Sequence, residues 1–184
     1  EEIISGHGNY MENFRSSEDK EFFPGSLISF RQENAHRFYF ETAFTILEVT
    51  VVSDFIFRFR YANNFIFEDD FSYAMAKDFS PEPPTVSWEE KAGHYEISTT
   101  TLTCIIYKQD LRKRILDKEG KVINEDEKGF HWEEDKETGN NIVIETKTLQ
   151  NDEAFFGLGD KPCQLNLKGK RLQLWGSDTY GYGK

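Results

Sequence analysis

Every second residue from Phe55 to Tyr61 is aromatic, and Arg58 and Arg60 occupy positions between them. Successive side chains of a β-strand point to opposite faces, so this spacing puts the rings on one face and the guanidinium groups on the other. A helix would spread the same rings around its circumference. The segment is therefore predicted to form an antiparallel strand with one buried and one solvated face.

The same period of two recurs along most of the chain, and no helix of ordinary length is indicated. Residues 62–91 are predicted to be a long connection or an edge, because their proline-rich part cannot lie in a central strand. About ten short strands, with turns every 8–12 residues or so, predict an all-β antiparallel sandwich or barrel. The predicted strands cover residues 37–42, 44–52, 55–61, 94–100, 102–108, 114–117, 121–124, 130–134, 141–148, 155–157 and 172–175.

Length and composition limit the class of protein. The chain has 184 residues, which suits one domain, and its 17 Phe favour strands over helices. A net charge of −11 opposes binding to nucleic acid, whose phosphates repel such a surface. No segment approaches the length of about 18 apolar residues expected of a membrane helix. Neither nucleic acid nor a membrane is therefore a predicted partner.

Cysteine and histidine usage predicts neither a disulfide framework nor a metal centre. Cys104 lies in an apolar run and is interpreted as a small core residue, whereas Cys163 lies in a predicted loop. A bridge between the two stays open. The four histidines are isolated from one another, and no cysteine pair has zinc spacing. Gly157 and Gly159 lack the third glycine of a dinucleotide fingerprint, so no cofactor is predicted.

Clustered carboxylates could in principle perform the acid and base steps of glycoside cleavage. Such a pair needs one member desolvated in a pocket, so that the two pKa values separate. The clusters of this chain fall in predicted polar turns and are interpreted as solvated surface. They occupy residues 68–70, 89–90, 125–127 and 133–135.

Residues 153–183 combine glycines, aromatic rings and a carboxylate more densely than any other part of the chain. Trp175, Asp178 and Tyr180 are the candidate ligand-binding residues. Ring faces cover the C–H patches of a sugar, and a carboxylate accepts hydrogen bonds from its hydroxyls. An aromatic surface loop that packs on its own domain remains the alternative, with Asp178 capping a turn.

Three motifs in this region resemble the N-terminal domain of glycoside hydrolase family 31, which contains α-glucosidases, α-xylosidases and α-galactosidases. They are Glu-Ala-Phe-Phe-Gly-Leu-Gly-Asp-Lys at 153–161, Leu-Asn-Leu-Lys-Gly-Lys-Arg at 165–171, and Leu-Trp-Gly-Ser-Asp-Thr-Tyr-Gly-Tyr-Gly at 174–183. Asp160 stands where the family usually has glutamate, and Gly176-Ser177 stands where asparagine-threonine is common. These departures leave the substrate open.

The resemblance implies a galactose-mutarotase-like β-sandwich that is incomplete at its C-terminal end. Residues 1–184 would form the N-terminal domain of a longer retaining α-glycosidase, whose catalytic (β/α)8 barrel lies outside this chain. In that family a loop of the sandwich lines the sugar pocket on the barrel. Asp178 matches the substrate-contacting aspartate of that loop, and Tyr180 would help to shape the rim. Since the family's catalytic aspartates lie on the barrel, no residue here is expected to be catalytic.

The implied partners are an α-linked oligosaccharide and the protein's own barrel domain, and the chain alone is expected to be inactive. A rival hypothesis is a free-standing carbohydrate-binding module with Trp88, Trp132 and Trp175 as its platform. Apolar surface at an open sheet edge would also favour a homodimer of the chain. The absence of a visible signal peptide favours the cytoplasm, with a periplasmic or secreted location left open.

Overall fold

The computed structural model describes residues 20–73, 76, 79, 81–158 and 164–172. These residues form eleven strands, all paired antiparallel, and contain no helix. The strands are β1 (Glu21–Phe22), β2 (Ser29–Asn34), β3 (Arg37–Glu41), β4 (Ile46–Ser53), β5 (Ile56–Ala62), β6 (Ser87–Glu90), β7 (His94–Ser98), β8 (Leu102–Tyr107), β9 (Lys113–Asp117), β10 (Val122–Glu134) and β11 (Asn141–Lys147).

The strands form two sheets, as expected for a sandwich. The larger sheet has the order β1-β10-β9-β8-β7-β6, with β11 also paired to β10, and the smaller has the order β2-β3-β4-β5. Tight connections join sequential neighbours: Ser53 pairs with Ile56 across one turn, and Leu116 pairs with Val122 across another. The prediction of an all-β antiparallel sandwich is confirmed.

Strand β10 is thirteen residues long and changes partners along its length. Its first part pairs with β9, and its last part pairs with β11 and with β1. The register shifts between Asp126 and Gly129, where φ of Gly129 is 73°. A residue in this conformation bends the strand, which lets one strand serve both halves of the larger sheet.

The core lies between the two sheets and is built from the inward-facing residues of both. Burial of these side chains supplies the main driving force for folding. Cys104 is completely buried among them, so its prediction as a small core residue is confirmed. The buried cluster comprises Phe38, Phe40, Leu47, Val49, Val51, Tyr95, Ile97, Cys104, Ile106 and Leu111.

Aromatic rings close one side of the sandwich, where the edge strands β2 and β6 face each other. The ring of Phe30 lies 4.9 Å from that of Trp88 and 4.4 Å from that of Tyr95. The indole nitrogen of Trp88 donates a hydrogen bond of 2.9 Å to Gln32 on β2. The rings of Phe30, Trp88 and Tyr95 therefore cover this edge of the core and are here named the aromatic seal.

The outer face of the smaller sheet is polar, and the segment after β5 crosses it. Arg58 forms an ion pair with Asp70, and Arg60 donates a hydrogen bond to the carbonyl of Glu68. Phe57, Phe59 and Tyr61 pack against the core, as the alternation predicted. Phe55, which was expected on the same face, is 72% exposed, because it lies in the turn before β5.

Several strand predictions require correction. Strands β1 and β2 were not predicted. Residues 62–91 were expected to be a connection or an edge, and β6 within them does form the edge of its sheet. Residues 155–157 form no strand: the carbonyl of Phe155 accepts a hydrogen bond from the amide of Leu167, and among the described residues no ladder of backbone bonds extends from it. Of the predicted strand 172–175, only Leu172 lies within the described residues, and it is not in a strand.

Asp19–Thr148 form one compact unit, which contains all eleven strands, and the described residues from Leu149 onward belong to a second. Among the described residues, no helix is long and apolar enough to cross a membrane, and no group of His, Cys, Asp and Glu is arranged to hold a metal ion.

Candidate functional site

The three residues predicted to bind a sugar, Trp175, Asp178 and Tyr180, lie outside the part of the chain that the structure describes. Their role therefore stays a prediction. What the structure shows is the segment that leads to them, residues 149–158 and 164–172, together with the sandwich.

Side-chain and backbone bonds tie the leading segment together without a strand ladder. The amide of Leu167 donates to the carbonyl of Phe155 over 2.8 Å, and the amide of Phe155 donates to Oδ1 of Asn166 over 3.1 Å. Lys168 donates through Nζ to the carbonyls of Gln150 and Asn151, at 3.3 and 2.9 Å. The described residues of the first two family-like motifs are therefore hydrogen-bonded to each other.

The backbone takes unusual conformations at the glycine-rich motif. Gly157 has a φ of 112° and Leu158 a φ of 64°, conformations that L-residues other than glycine adopt only at a cost. Phe156 is 63% exposed on the same stretch. The described residues of the motif therefore expose apolar side chains and form no strand.

A buried ionic cluster lies at the side of the sandwich opposite the aromatic seal, where β5 faces β9, β10 and β11. The ammonium of Lys113 is 2.8 Å from the hydroxyl oxygen of Tyr61, 2.9 Å from Oδ2 of Asp126 and 3.1 Å from Oε1 of Glu145. Lys147 also binds Asp126, and lies 2.8 Å from Glu145. The ring of Tyr61 stacks on that of Phe130 with centroids 3.8 Å apart.

Electrostatics hold this cluster in its charged form. Burial acts to raise the pKa of Asp126, but the charges and hydrogen bonds of Lys113 and Lys147 outweigh it and lower that pKa. Burial acts to lower the pKa of Lys113, and the oxygens of Tyr61, Asp126 and Glu145 outweigh it and raise that pKa. Burial raises the pKa of Tyr61, with Lys113 acting against it. At neutral pH Lys113 and Asp126 are therefore ionised, and the phenol of Tyr61 is neutral.

The cluster forms the floor of a cavity of about 680 Å³, here named the β5–β11 cavity. Aromatic, aliphatic, amide and charged side chains line the cavity. Its walls come from the end of β5, the turn and segment that follow it, and strands β9 to β11. They comprise Phe59, Arg60, Tyr61, Ala62, Asn63, Asn64, Ile66, Phe67, Glu68, Lys113, Phe130, Asn141, Val143, Glu145 and Lys147.

The sequence interpretation of the acidic clusters was wrong for two residues. Asp126 and Glu133 were assigned to solvated turns, yet they are 4% and 5% exposed. The reason is that residues 122–134 form one continuous strand with neighbours on both sides. Lys113 was not recognised, although its separation of two residues from the core-facing Ile115 was a signal that it points inward.

The tryptophan platform of the rival binding-module hypothesis is not assembled in the described residues. Trp132 is 9% exposed and stacks with Phe22, with ring centroids 6.1 Å apart. Trp88 is 40% exposed, but its ring contributes to the aromatic seal with Phe30. Trp175 is the third member and lies outside the described residues.

The chain matches a known family model and a relative of known name. Residues 46–184 match the family model described as the glycosyl hydrolase 31 N-terminal galactose mutarotase-like domain. The chain is 26% identical over 122 residues to Alpha-glucosidase 2 of Bacillus thermoamyloliquefaciens, an alignment that covers 66% of this chain and 15% of that protein.

Solved structures agree with this match. A glycosyl hydrolase 31 dextranase of Flavobacterium johnsoniae, in a complex with glucose, superimposes with a TM-score of 0.72 at 26% identity, over 88% of this chain and 20% of that one. The cycloalternan-forming enzyme from Listeria monocytogenes superimposes with a TM-score of 0.62 at 16% identity, over 83% of this chain and 14% of that one. This second likeness shows the fold alone.

The chain spans 15% of the length of the curated relative and 20% of the dextranase. The family match covers most of its residues, and it includes both the sandwich strands from β4 onward and the motifs at 153–183. The chain therefore belongs to the glycosyl hydrolase 31 family, as its N-terminal galactose mutarotase-like domain.

Proposed function

We propose that this domain serves a retaining α-glycosidase by packing on its catalytic barrel and by contributing a loop to the substrate pocket. The observation that carries the proposal is the family match, which extends through residue 184 and so includes the motif with Asp178. The barrel would supply the nucleophile and the acid/base residue of the two-step mechanism. The domain itself holds and orients the sugar.

The proposed substrate is an α-linked glucoside or oligosaccharide. Two relatives support this class: one is named an α-glucosidase, and the dextranase has been solved in complexes with glucose and isomaltotriose. The sequence departures at Asp160 and at Gly176-Ser177 bear on which glucoside is preferred. On its own the 184-residue chain is expected to be inactive, because the residues proposed to cleave the glycosidic bond lie on the barrel.

Asp178 is the proposed positioning residue, and Trp175 and Tyr180 are the proposed rings beside it. A carboxylate accepts hydrogen bonds from neighbouring hydroxyls, and flat rings cover the C–H faces of a sugar. Holding the substrate in a reactive orientation lowers the barrier without any covalent step at these residues. Loss of Asp178 should therefore affect both binding and turnover.

The test compares Asp178→Ala with the parent in the longer enzyme that contains this domain, on a chromogenic α-glucoside. The expected result is a fall in kcat/KM of about ten-fold or more, because a hydrogen bond to a charged group contributes about 1.5–3 kcal/mol. Asp152→Ala is the control, since Asp152 is an exposed residue of the segment that precedes the motif. Unchanged kcat and KM for Asp178→Ala would reject the pocket role.

The 184-residue chain should be assayed beside the longer enzyme under the same conditions. An inert chain and an active longer enzyme would support the accessory role. Cleavage by the chain alone would contradict it, because the residues proposed to perform the chemistry are on the barrel.

A further inference from the structure

The charges around the β5–β11 cavity balance. Three cationic groups, Arg60, Lys113 and Lys147, line it. Two carboxylates, Glu68 and Glu145, also line it, and Asp126 lies directly behind, bound to both lysines. Three positive and three negative groups give no net charge. A phosphate or a metal ion would need an excess of one sign, so the cavity favours a neutral ligand.

The walls offer apolar contacts on both sides of the opening. Ile66 on the segment after β5 is 69% exposed, and Val143 on β11 is 64% exposed. Phe67 contributes a ring beside Ile66, and its face is already in contact with Arg60, whose guanidinium carbon lies 5.0 Å from the ring centroid. A ligand lying between these walls would cover side chains that otherwise face water.

Polar groups with unused hydrogen-bonding capacity stand among these apolar groups. The ammonium of Lys147 contacts Asp126 and Glu145, which leaves one of its three N–H donors without a partner among the described residues. The amide of Asn141 makes no side-chain hydrogen bond to the described residues and is exposed. Both donors and acceptors are therefore available beside apolar surface.

A neutral molecule that combines C–H faces with many hydroxyl groups fits such walls. Its hydroxyls both donate and accept hydrogen bonds, so it can use the amides, the carboxylates and the free ammonium donor together. A cavity of about 680 Å³ lies inside the size range of small-molecule sites. We propose that the β5–β11 cavity binds a neutral oligosaccharide. The chemistry of the walls carries this proposal, and only the choice of a glucose-based probe rests on the proposed function.

The test is a titration of the 184-residue chain with isomaltotriose, followed by the chemical shifts of its backbone amides. Binding should shift amides of the cavity walls, those of Asn63, Asn141 and Val143 among them, with a common Kd. At about 10 mM sugar, a site with a Kd of about 1 mM would be some nine-tenths filled. Absence of any wall shift at that concentration would overturn the proposal.

Two pairs of variants give the test its control. Ile66→Ala removes an apolar wall, and Ile28→Ala removes an isoleucine that is also 69% exposed but lies outside the cavity. Asn141→Ala removes a wall amide, and Asn124→Ala removes an exposed amide of β10 outside it. Each wall variant should raise Kd by about three- to ten-fold, as expected for the loss of one contact or hydrogen bond. The controls should leave Kd unchanged.

Other outcomes would overturn the proposal in recognisable ways. Equal weakening by wall and control variants would show that the binding is not at this cavity. Shifts confined to residues 173–184 would support a sugar contact at the Asp178 loop and reject the cavity. Shifts that grow with protein concentration and not with sugar would identify pairing of β5 with a second chain. None of these results depends on the activity assay of the longer enzyme, so the two proposals fail independently.

Discussion

Lys113 and Asp126 are joined twice through the same carboxylate oxygen. The backbone amide of Lys113 donates to Oδ2 of Asp126 over 2.8 Å, and its ammonium lies 2.9 Å from that oxygen. Both side chains are almost completely buried. A buried pair of this kind offsets its desolvation through geometry and extra hydrogen bonds, and breaking one half leaves the other charge uncompensated.

Replacing Asp126 by asparagine should therefore destabilise the domain strongly. We expect the free energy of unfolding to fall by about 3 kcal/mol or more, the scale measured when a buried ion pair loses one partner. Urea unfolding followed by tryptophan fluorescence would measure it. Glu127→Gln is the matched control, because Glu127 is the exposed neighbour, and it should change stability by less than about 0.5 kcal/mol.

The same carboxylate should make stability depend on pH in the acid range. The folded-state pKa of Asp126 lies below its ordinary value, so the unfolded chain takes up a proton there at a higher pH than the folded chain. The stabilisation that ionised Asp126 contributes is fully present above the pKa of the unfolded chain, about 4. It is lost as pH falls through the pKa of the folded chain.

Chemical unfolding measured at a series of pH values from about 6 to 2 checks this sign. The slope of stability against pH below about 4 should be smaller in Asp126→Asn than in the parent. In Asp70→Asn, which alters a surface ion pair with Arg58, the slope should stay near that of the parent because solvent screens that pair. An unchanged slope in Asp126→Asn would show that Asp126 does not contribute to the dependence of stability on pH in the acid range.

Gly129 should not tolerate a side chain. Its φ is +73°, and a Cβ placed there would lie 2.8 Å from Oδ2 of Asp126 and 3.2 Å from Cγ of Arg112. Gly129→Ala therefore adds a steric conflict to a backbone cost of about 1–2 kcal/mol. Gly120 has a similar φ of +82° with nothing within 4 Å, so Gly120→Ala should show the backbone cost alone.

Thermal unfolding of the two variants distinguishes these contributions. Gly129→Ala should have the lower midpoint of the two. When both variants also carry Asp126→Ala, the difference between their midpoints should shrink, since the clashing carboxylate is then absent. Equal midpoints for the two single variants would show that the strand relaxes around the new methyl group.

The thiol of Cys104 should be unreactive in the folded domain. It is completely buried, and burial raises its pKa, so the thiolate that reacts with alkylating reagents is scarce at pH 8. A Cys163→Ser variant leaves Cys104 as the only thiol. Mass spectrometry after iodoacetamide treatment should show no adduct under native conditions and one adduct in urea. A native adduct would mean that the core opens readily at this position.

Alternation of side chains was sufficient to predict an antiparallel all-β sandwich or barrel, because most strands have one apolar and one polar face, and the family resemblance selected the sandwich. Residues Phe57, Phe59 and Tyr61 show this directly. The pattern failed at β2, where Ser29–Asn34 is mostly polar and only Phe30 is turned toward the core. Such an edge strand forms because β3 provides a hydrogen-bonding partner, a reason that local sequence does not contain.

The ionic cluster was beyond prediction for a related reason. Lys113 and Asp126 belong to different strands, and only the pairing of β9 with β10 brings them together. In the sequence, Asp126 is one of three consecutive acidic residues, and such runs are usually exposed. The family-like motifs at 153–183 were recognised because their signal is local, in spacing and residue type.

The pairing of β1 with β10 joins residues at opposite ends of the sandwich sequence: Glu21 lies opposite Glu133, and Phe22 opposite Trp132. We expect a contact of such long range to form late in folding, because a loop of more than a hundred residues must close before the contact yields any stabilisation. The hairpins β4–β5 and β7–β8 have short loops and are suited to form first. During synthesis β1 therefore has no β10 to pair with until the ribosome has released residues 122–134.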